Sequence, residues 1–169
     1  MAELMTRALF IVRVVVAALL VCATAYAVHR WCWRPYRCAA AVSAGATALE
    51  AAEHRSDADR QRIARAVQTN LRRCACSSPE LDMRTYFALA EASAAMGDYR
   101  AAIADYERAL AIDRRPELYF ALGMAYLNAL DRLAALHNLA RACAFDPARL
   151  AAIPYPEIRE ETARRVADR

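Results

Sequence analysis

Lysine is absent from this sequence of 169 residues and glycine occurs only three times, whereas arginine and alanine are abundant. A loop that cradles phosphate groups needs several glycines close together, so a nucleotide-binding loop of that kind is excluded. Arginine and lysine serve equally well on most solvated helix faces, and we interpret the complete use of arginine as a composition bias of the source genome. Abundant alanine with scarce glycine favours helix throughout the chain.

No set of residues with catalytic spacing is present either. The three histidines, His29, His54 and His137, are scattered along the chain and show neither Ser/His/Asp nor metal-ligand spacing. We therefore predict a protein that is not an enzyme. The prediction includes no catalytic residue, no cofactor and no small-molecule substrate.

The chain has no surplus of positive charge beyond its N-terminal segment. Residues 1–37 contain five arginines and one glutamate, and the remaining residues contain 18 arginines and 18 acidic residues, so the net charge of +4 belongs to the N-terminus. A nucleic-acid-binding domain needs a basic stripe on its folded surface. The charge balance therefore argues against nucleic acid as a partner.

One long apolar run lies between Ala8 and Val28, and only Arg13 interrupts it with a charge. At about 1.5 Å per residue, a helix of this length spans a bilayer core of about 30 Å. Arg13 stands near the start of the run, where its long side chain can reach the headgroups. A contact of Arg13 with a partner helix or a lipid phosphate is the alternative.

Aromatic and basic residues follow the run directly. Trp31, Trp33 and Tyr36 alternate with arginines, as is typical of a membrane–water interface. We therefore predict a transmembrane anchor with an interfacial collar over residues 1–37, in contact with the lipid bilayer.

The same run could instead be a cleaved signal peptide. Ala23-Thr24-Ala25 and Ala25-Tyr26-Ala27 both have the small-x-small form of a cleavage site. Cleavage would release a soluble exported adaptor. The run is long for a signal peptide, and this favours an uncleaved, single-pass anchor in a bacterial inner membrane. The arginines on the two sides of the run nearly balance and lean toward a cytoplasmic domain.

A helical hairpin is predicted next, with helices over residues 39–54 and 58–73. Arg55-Ser56-Asp57 forms the turn, and Asp57 is the expected N-cap of the second helix. If the two helices are antiparallel about Ser56, residues whose numbers add to 112 lie side by side. The hairpin is predicted as a domain over residues 38–78.

Four cysteines meet at the open end of this hairpin. Cys38 lies beside Cys74, with Cys32 and Cys76 just beyond them. They could form one or two disulfides, bind Zn²⁺ as thiolates in a redox or metal-binding module, or stay free. The spacing is not typical of a zinc site, and we predict that no residue of this chain is a metal ligand. Disulfides persist mainly outside the cytoplasm, so the cysteines favour the periplasmic side for the soluble domain.

Residues 83–149 contain one pattern of apolar and small residues written twice. The offset between the copies is constant, and the paired positions are Tyr86/Tyr119, Leu89/Leu122, Ala90/Gly123, Tyr99/Arg132, Ala102/Ala135, Tyr106/Leu139, Ala109/Ala142 and Asp113/Asp146. Small residues let two helices approach closely, and aromatic residues fill the space between successive hairpins. Cys143 falls inside the second copy at a position expected to be core.

The second copy, with Tyr119-x-x-Leu122-Gly123-x-x-Tyr126 followed by Asp146-Pro147, resembles the tetratricopeptide repeat. The resemblance extends to membrane-anchored bacterial members of that family. It implies an all-α fold, in which an N-terminal transmembrane helix precedes a short α-solenoid of antiparallel hairpins. The two repeats are expected at 83–115 and 116–149, within a repeat domain of 79–149, and a C-terminal capping helix at 150–169.

The resemblance also implies that the first helix of each repeat lines a protein-binding face. Carried onto this chain, the expected binding residues are Phe87, Glu91, Phe120, Met124 and Leu127. The alternative is that these residues pack against the first hairpin or the final helix. The sequence therefore predicts a membrane-anchored scaffold, an accessory subunit or assembly factor of a membrane protein complex. It would bind protein subunits through its repeat face and its transmembrane helix.

Overall fold

The computed structural model describes the backbone of residues 2–52, 54–74 and 79–168, and the side chains of these residues except 2–12, 32, 34 and 79–81. All regular elements in these ranges are helical, which confirms the all-α prediction. The α-helices are α1 (Ala2–Val28), α2 (Arg34–Ala52), α3 (Asp57–Leu71), α4 (Pro79–Ala95), α5 (Tyr99–Ile112), α6 (Pro116–Asn128), α7 (Arg132–Phe145) and α8 (Pro156–Ala167). A π-helix spans His29–Trp33 and a 3-10 helix spans Pro147–Ala152.

The chain divides into two compact units, Met1–Arg37 and Cys38–Arg169. Among the described residues, the N-terminal helical stretch is the one long and apolar enough to cross a membrane. Its large side chains, such as Leu19 and Val21, are well over half exposed. The hydroxyl of Thr24 donates to the carbonyls of Leu20 and Val21 at 3.0 and 2.9 Å, so this polar group is satisfied within the helix.

The second unit consists of three helical hairpins in succession, α2 with α3, α4 with α5 and α6 with α7. Each hairpin packs on the next, and three apolar cores follow one another along the chain. Val67 and Leu71 belong to the first core, Tyr106 and Leu118 to the second, and Leu139 to the third. The first hairpin therefore supplies the third layer that a stack of only two repeats would lack.

The turns of the two repeats have the same backbone. Gly97 and Leu130 stand at equivalent positions of the two copies, and both have positive φ, at 79° and 65°. Both turns end the preceding helix with the Schellman pattern of hydrogen bonds. Asp98 and Asp131 then cap α5 and α7, each accepting a hydrogen bond from the backbone N–H three residues later. Leu130 thus holds a conformation that glycine adopts more easily.

Close approach within the second repeat depends on Gly123. A Cβ atom at this position would lie 2.8 Å from Cγ of Leu139 and 3.2 Å from its backbone nitrogen. In the first repeat the equivalent position is Ala90, which is fully buried together with Ala102. The expectation that small residues let the paired helices approach closely is borne out by this geometry.

The cap of α3 differs from the prediction. Ser56, not Asp57, is the N-cap, and its hydroxyl accepts a hydrogen bond from the backbone N–H of Asp59 at 3.3 Å. The same hydroxyl donates to the Asp59 carboxylate at 2.9 Å. Asp57 lies in the first turn, where its charge favours the positive end of the helix dipole. The prediction was therefore wrong by one residue, because both types cap well and the backbone decides between them.

The open end of the first hairpin is closed by a disulfide between Cys38 and Cys74, whose Cα atoms are 5.3 Å apart. The two cysteines are 36 residues apart in sequence. In the chain-entropy model, closing a loop of that length stabilises the folded state by about 4 kcal/mol. The side chain of Cys32 and all of Cys76, the other two candidates, lie outside the described residues.

The C-terminal segment covers the last hairpin. Ile153 and Ile158 are buried against Leu136, Leu139 and Cys143 of α7. The segment is held in place by Arg159, whose guanidinium donates to the carbonyl of Ile153 at 2.6 and 3.1 Å. Cys143 is 2% exposed, as expected for a core position.

Candidate functional site

The second unit has a groove of about 580 Å³ along the first helices of the three hairpins, α2, α4 and α6. We call it the repeat groove. It is lined by Val42, Ala46, Leu49, Glu50, Met83, Arg84, Phe87, Ala88, Glu91, Arg115, Glu117 and Leu118. Its floor is apolar, and charged residues stand along its edges.

Phe87 and Glu91 reach the repeat groove from α4, one turn apart. Phe87 is half-buried, and its ring lies 5.8 Å from the ring of Tyr106 on α5. The hydroxyl of Tyr106 donates a hydrogen bond to the Glu91 carboxylate. Burial, reinforced by Glu91, raises the pKa of Tyr106 well above its usual value, so the hydroxyl stays protonated and remains a donor. Tyr106 thereby fixes the positions of both groove side chains.

Ion pairs outside the groove engage two of its charged residues. Arg115 pairs with Asp113 at 2.5 Å, and Glu117 accepts a hydrogen bond from Arg149 at 2.7 Å. Glu50, on the opposite wall, is exposed. The groove therefore combines an apolar floor with charges of both signs, which is suited to an amphipathic peptide segment rather than to a strongly charged ligand.

The second repeat places its equivalent residues differently. Phe120, Met124 and Leu127 are half-buried and pack on the apolar core that includes the C-terminal segment. The guanidinium of Arg149 lies 5.8 Å from the centre of the Phe120 ring. This second-repeat face is thus in contact with the C-terminal core, while its three apolar residues stay half-buried.

Of the five residues predicted to bind protein, the structure brings two, Phe87 and Glu91, into the repeat groove. The other three pack on the apolar core that includes the C-terminal segment, and their predicted role in binding stays a prediction. The α2 side of the groove, with Val42, Ala46 and Leu49, was missed by sequence reasoning. Their spacing of four and three residues, one face of a helix, was the available signal.

The remaining candidate residues belong to other segments of the chain. Trp31, Trp33 and Tyr36 are exposed in the N-terminal unit, and so is Arg13. Among the residues with described side chains, no group of three or more His, Cys, Asp or Glu could hold a metal ion. His137 is exposed on α7. None of these observations changes the predicted role of the collar, which stays a prediction.

The comparisons with known proteins support the repeat. Residues 83–115 match the family model of the tetratricopeptide repeat, which covers the first of the two copies. Searches of the curated proteins and of the solved structures gave no match. The second copy is supported by its backbone, since the turn, the caps and the buried small residues recur at the equivalent positions.

Proposed function

From the premise that this chain is a tetratricopeptide repeat protein, we propose that it is a membrane-anchored scaffold, an accessory subunit or assembly factor of a membrane protein complex. The family is generally a non-catalytic protein-interaction family. The repeat groove would receive an amphipathic segment of a protein subunit, and the N-terminal helix would hold the repeats at the bilayer. The groove between α2, α4 and α6 is the observation that carries this proposal.

The groove favours a protein partner because it joins apolar area to exposed polar edges. Leu49 and Phe87 are half-buried, so each still offers apolar surface to an incoming side chain. Glu50 and Arg84 are exposed at the edges, where they can set the register of a bound segment. The three chain layers that form the groove position these residues before a partner arrives, which lowers the entropic cost of binding.

The anchor favours a membrane complex over a freely diffusing adaptor. Exposed aliphatic side chains on α1, among them Leu20 at 62% and Val21 at 66%, are unfavourable in water and favourable in lipid. A helix held in the bilayer can also contact a second helix there, in addition to the contacts made by the groove. We expect purified membranes to contain the intact chain with α1 still attached, and intact mass is the measurement.

The test of the groove is co-purification of the full-length protein from native membranes in a mild detergent. Ala46 is exposed and lines the groove on α2, so Ala46→Arg fills it with a charged side chain without disturbing the core. Ala44 is exposed on the same helix outside the groove, and Ala44→Arg is the matched control. We expect Ala46→Arg to lose the co-purifying subunits and Ala44→Arg to retain them.

Two results would contradict the proposal. One is a wild-type chain that always purifies alone. The other is a set of co-purifying proteins that Ala46→Arg leaves unchanged. Phe120→Ala and Met124→Ala test the predicted binding role of the second repeat, whose side chains pack on the core that includes the C-terminal segment. We expect both variants to lower partner recovery per folded molecule, in addition to lowering the stability of the domain.

The disulfide supports a soluble domain on the periplasmic side of an inner membrane, because such bonds persist mainly in oxidising compartments. Thiol labelling of the unreduced, denatured protein should leave Cys38 and Cys74 unmodified. Protease added outside the inner membrane should cleave the repeat domain. Resistance of the domain to the added protease in intact spheroplasts would contradict this orientation.

A further inference from the structure

One wall of the repeat groove is less firmly packed than the others. Helix α2 supplies Val42, Ala46, Leu49 and Glu50, one third of the residues that line the groove. Opposite it, α4 is anchored by Met83, Leu89 and other side chains that are at most about 5% exposed. The groove therefore needs α2 to stay in place.

From Cys38 onward, α2 buries only small residues. Cys38, Gly45 and Ala52 are its buried positions in this unit, and its two large aliphatic residues, Val42 and Leu49, are only half-buried. Small buried residues remove little apolar area from water, so they hold the helix weakly. Close approach to α3 is possible at Gly45, where an added Cβ would lie 3.0 Å from a methyl group of Val67.

Covalent connections at both ends of the segment from Cys38 to Ala52 compensate for its weak packing. The turn after Ala52 joins α2 to α3 through the chain, and the disulfide between Cys38 and Cys74 joins the other end to the residues that follow α3. We infer that this disulfide is a clamp on the α2 wall, so that the repeat groove is complete only in the oxidised protein. The inference rests on the proposed function of the groove.

The chemistry of the clamp is ordinary thiol–disulfide exchange. The thiols of Cys38 and Cys74 lose two protons and two electrons as their S–S bond forms, and a protein disulfide of the oxidase class accepts them and becomes a dithiol. In the folded protein the two cysteines are 4% and 6% exposed, so their burial hinders attack on the bond by a dissolved thiol. The redox state of the compartment where the chain folds therefore decides whether the groove is completed.

Hydrogen exchange of the full-length protein in detergent micelles tests the clamp without any partner. In the Cys38→Ser/Cys74→Ser double variant we expect amides of residues 42–52 to exchange at least about tenfold faster than in wild type. Amides of α5, α6 and α7 should exchange as in wild type. The Cys32→Ser/Cys76→Ser double variant is the matched control and should behave as wild type throughout.

Three results would overturn the inference: unchanged exchange in residues 42–52, an equal acceleration in every helix, or the same loosening in the Cys32→Ser/Cys76→Ser control. If the double variant fails to fold, wild-type protein that has been reduced in denaturant, alkylated and refolded replaces it. Unfolding of the whole domain in both preparations would also overturn the inference, because the disulfide would then support the fold rather than one wall.

Partner recovery separates this inference from the proposed function. We expect Cys38→Ser/Cys74→Ser to lose the subunits that Ala46→Arg loses. If Ala46→Arg loses them and the cysteine variant keeps them, the inference is wrong and the proposed function stands. If neither variant loses them, the proposed function fails, and the exchange measurement alone decides whether α2 is clamped.

Discussion

In the first repeat Glu91 accepts a hydrogen bond from Tyr106, whereas the second repeat has Met124 and Leu139 at the two equivalent positions. The two hairpins have the same turn backbone and the same N-caps on their second helices. A carboxylate is costly to bury, so the first repeat keeps this position beside the open groove. Methionine and leucine favour burial, and in the second repeat both belong to the apolar core that includes the C-terminal segment.

The comparison teaches that the exchange of one polar pair for an apolar pair changes what a repeat face packs against. Phe87 and Phe120 are equivalent by position, and both are half-buried. Phe87 lies at the groove, while Phe120 lies beside Arg149 and the C-terminal core. A repeat position therefore indicates a face, and the neighbouring residues decide whether that face is open to a partner.

The largest expected effect comes from Leu139, which is fully buried at the centre of the apolar face of the second repeat. Leu139→Ala should lower the free energy of unfolding by about 3 kcal/mol, because it removes apolar contacts and leaves a cavity. Urea unfolding measures this. Leu133 is 73% exposed on the same helix, so Leu133→Ala should change the stability by less than about 0.5 kcal/mol. Similar losses in the two variants would contradict the assigned core.

A smaller loss of stability is expected from substitutions at the position where the second repeat has glycine and the first repeat has alanine. Gly123→Ala should destabilise the domain by about 1 to 2 kcal/mol, since the new Cβ would meet Leu139 at 2.8 Å. The overlap must exceed the gain of about 1 kcal/mol in helix propensity. Ala90→Gly, the reciprocal change, should cost about 2 kcal/mol, because it loses helix propensity and the contacts of a fully buried methyl group. A stabilising Gly123→Ala would show that the helices of the second repeat can separate without cost.

Substitutions at the two turns should change the stability of the domain in opposite directions. Leu130 is 91% exposed and has a φ of 65°, so Leu130→Gly should stabilise the domain by about 1 kcal/mol by relieving left-handed strain. Gly97 has a φ of 79° and open space around its Cα, so Gly97→Ala should cost about 1 kcal/mol through backbone strain alone. Thermal unfolding of both variants checks the pair. Changes of the same sign would contradict the equivalence of the two turns.

The smallest effect concerns the polar pair of the first repeat at alkaline pH. Tyr106 has a raised pKa, caused first by burial and then by Glu91, so its hydroxyl stays protonated in the folded state while the unfolded chain ionises near pH 10. The contribution of this group to stability is complete below about pH 10 and decreases as the pH rises. Between about pH 9 and about pH 10.5, wild type should lose about 0.8 kcal/mol more stability than Tyr106→Phe.

Urea unfolding at the two pH values measures this difference. The other tyrosines are common to both proteins, so their contributions cancel. Tyr126→Phe should reduce the loss by a similar amount, because burial and then Glu107 raise the pKa of the half-buried Tyr126 to about 12. Parallel pH profiles for wild type and Tyr106→Phe would contradict the assigned environment of Tyr106.

Much of the fold could be predicted because its determinants are local. The helix limits around Pro116 and around Asp98 depend on residues within one turn, where proline and capping residues act. The proximity of Cys38 and Cys74 could be predicted because a short turn joins two antiparallel helices of similar length. The N-cap of α3 was missed because Ser56 and Asp57 are adjacent residues of nearly equal capping strength.

The sequence by itself determined the helices, the period of the repeat and the candidate binding positions, since each is written in residue types at short spacing. Only the tertiary structure decided what each of those positions packs against. Met124 packs on a core that includes Ile153 and Ile158, which are distant in sequence, and Phe87 lies at a groove because α2 stands on its far side. Burial depends on contacts between segments far apart in the chain, and local patterns do not encode which segments will meet.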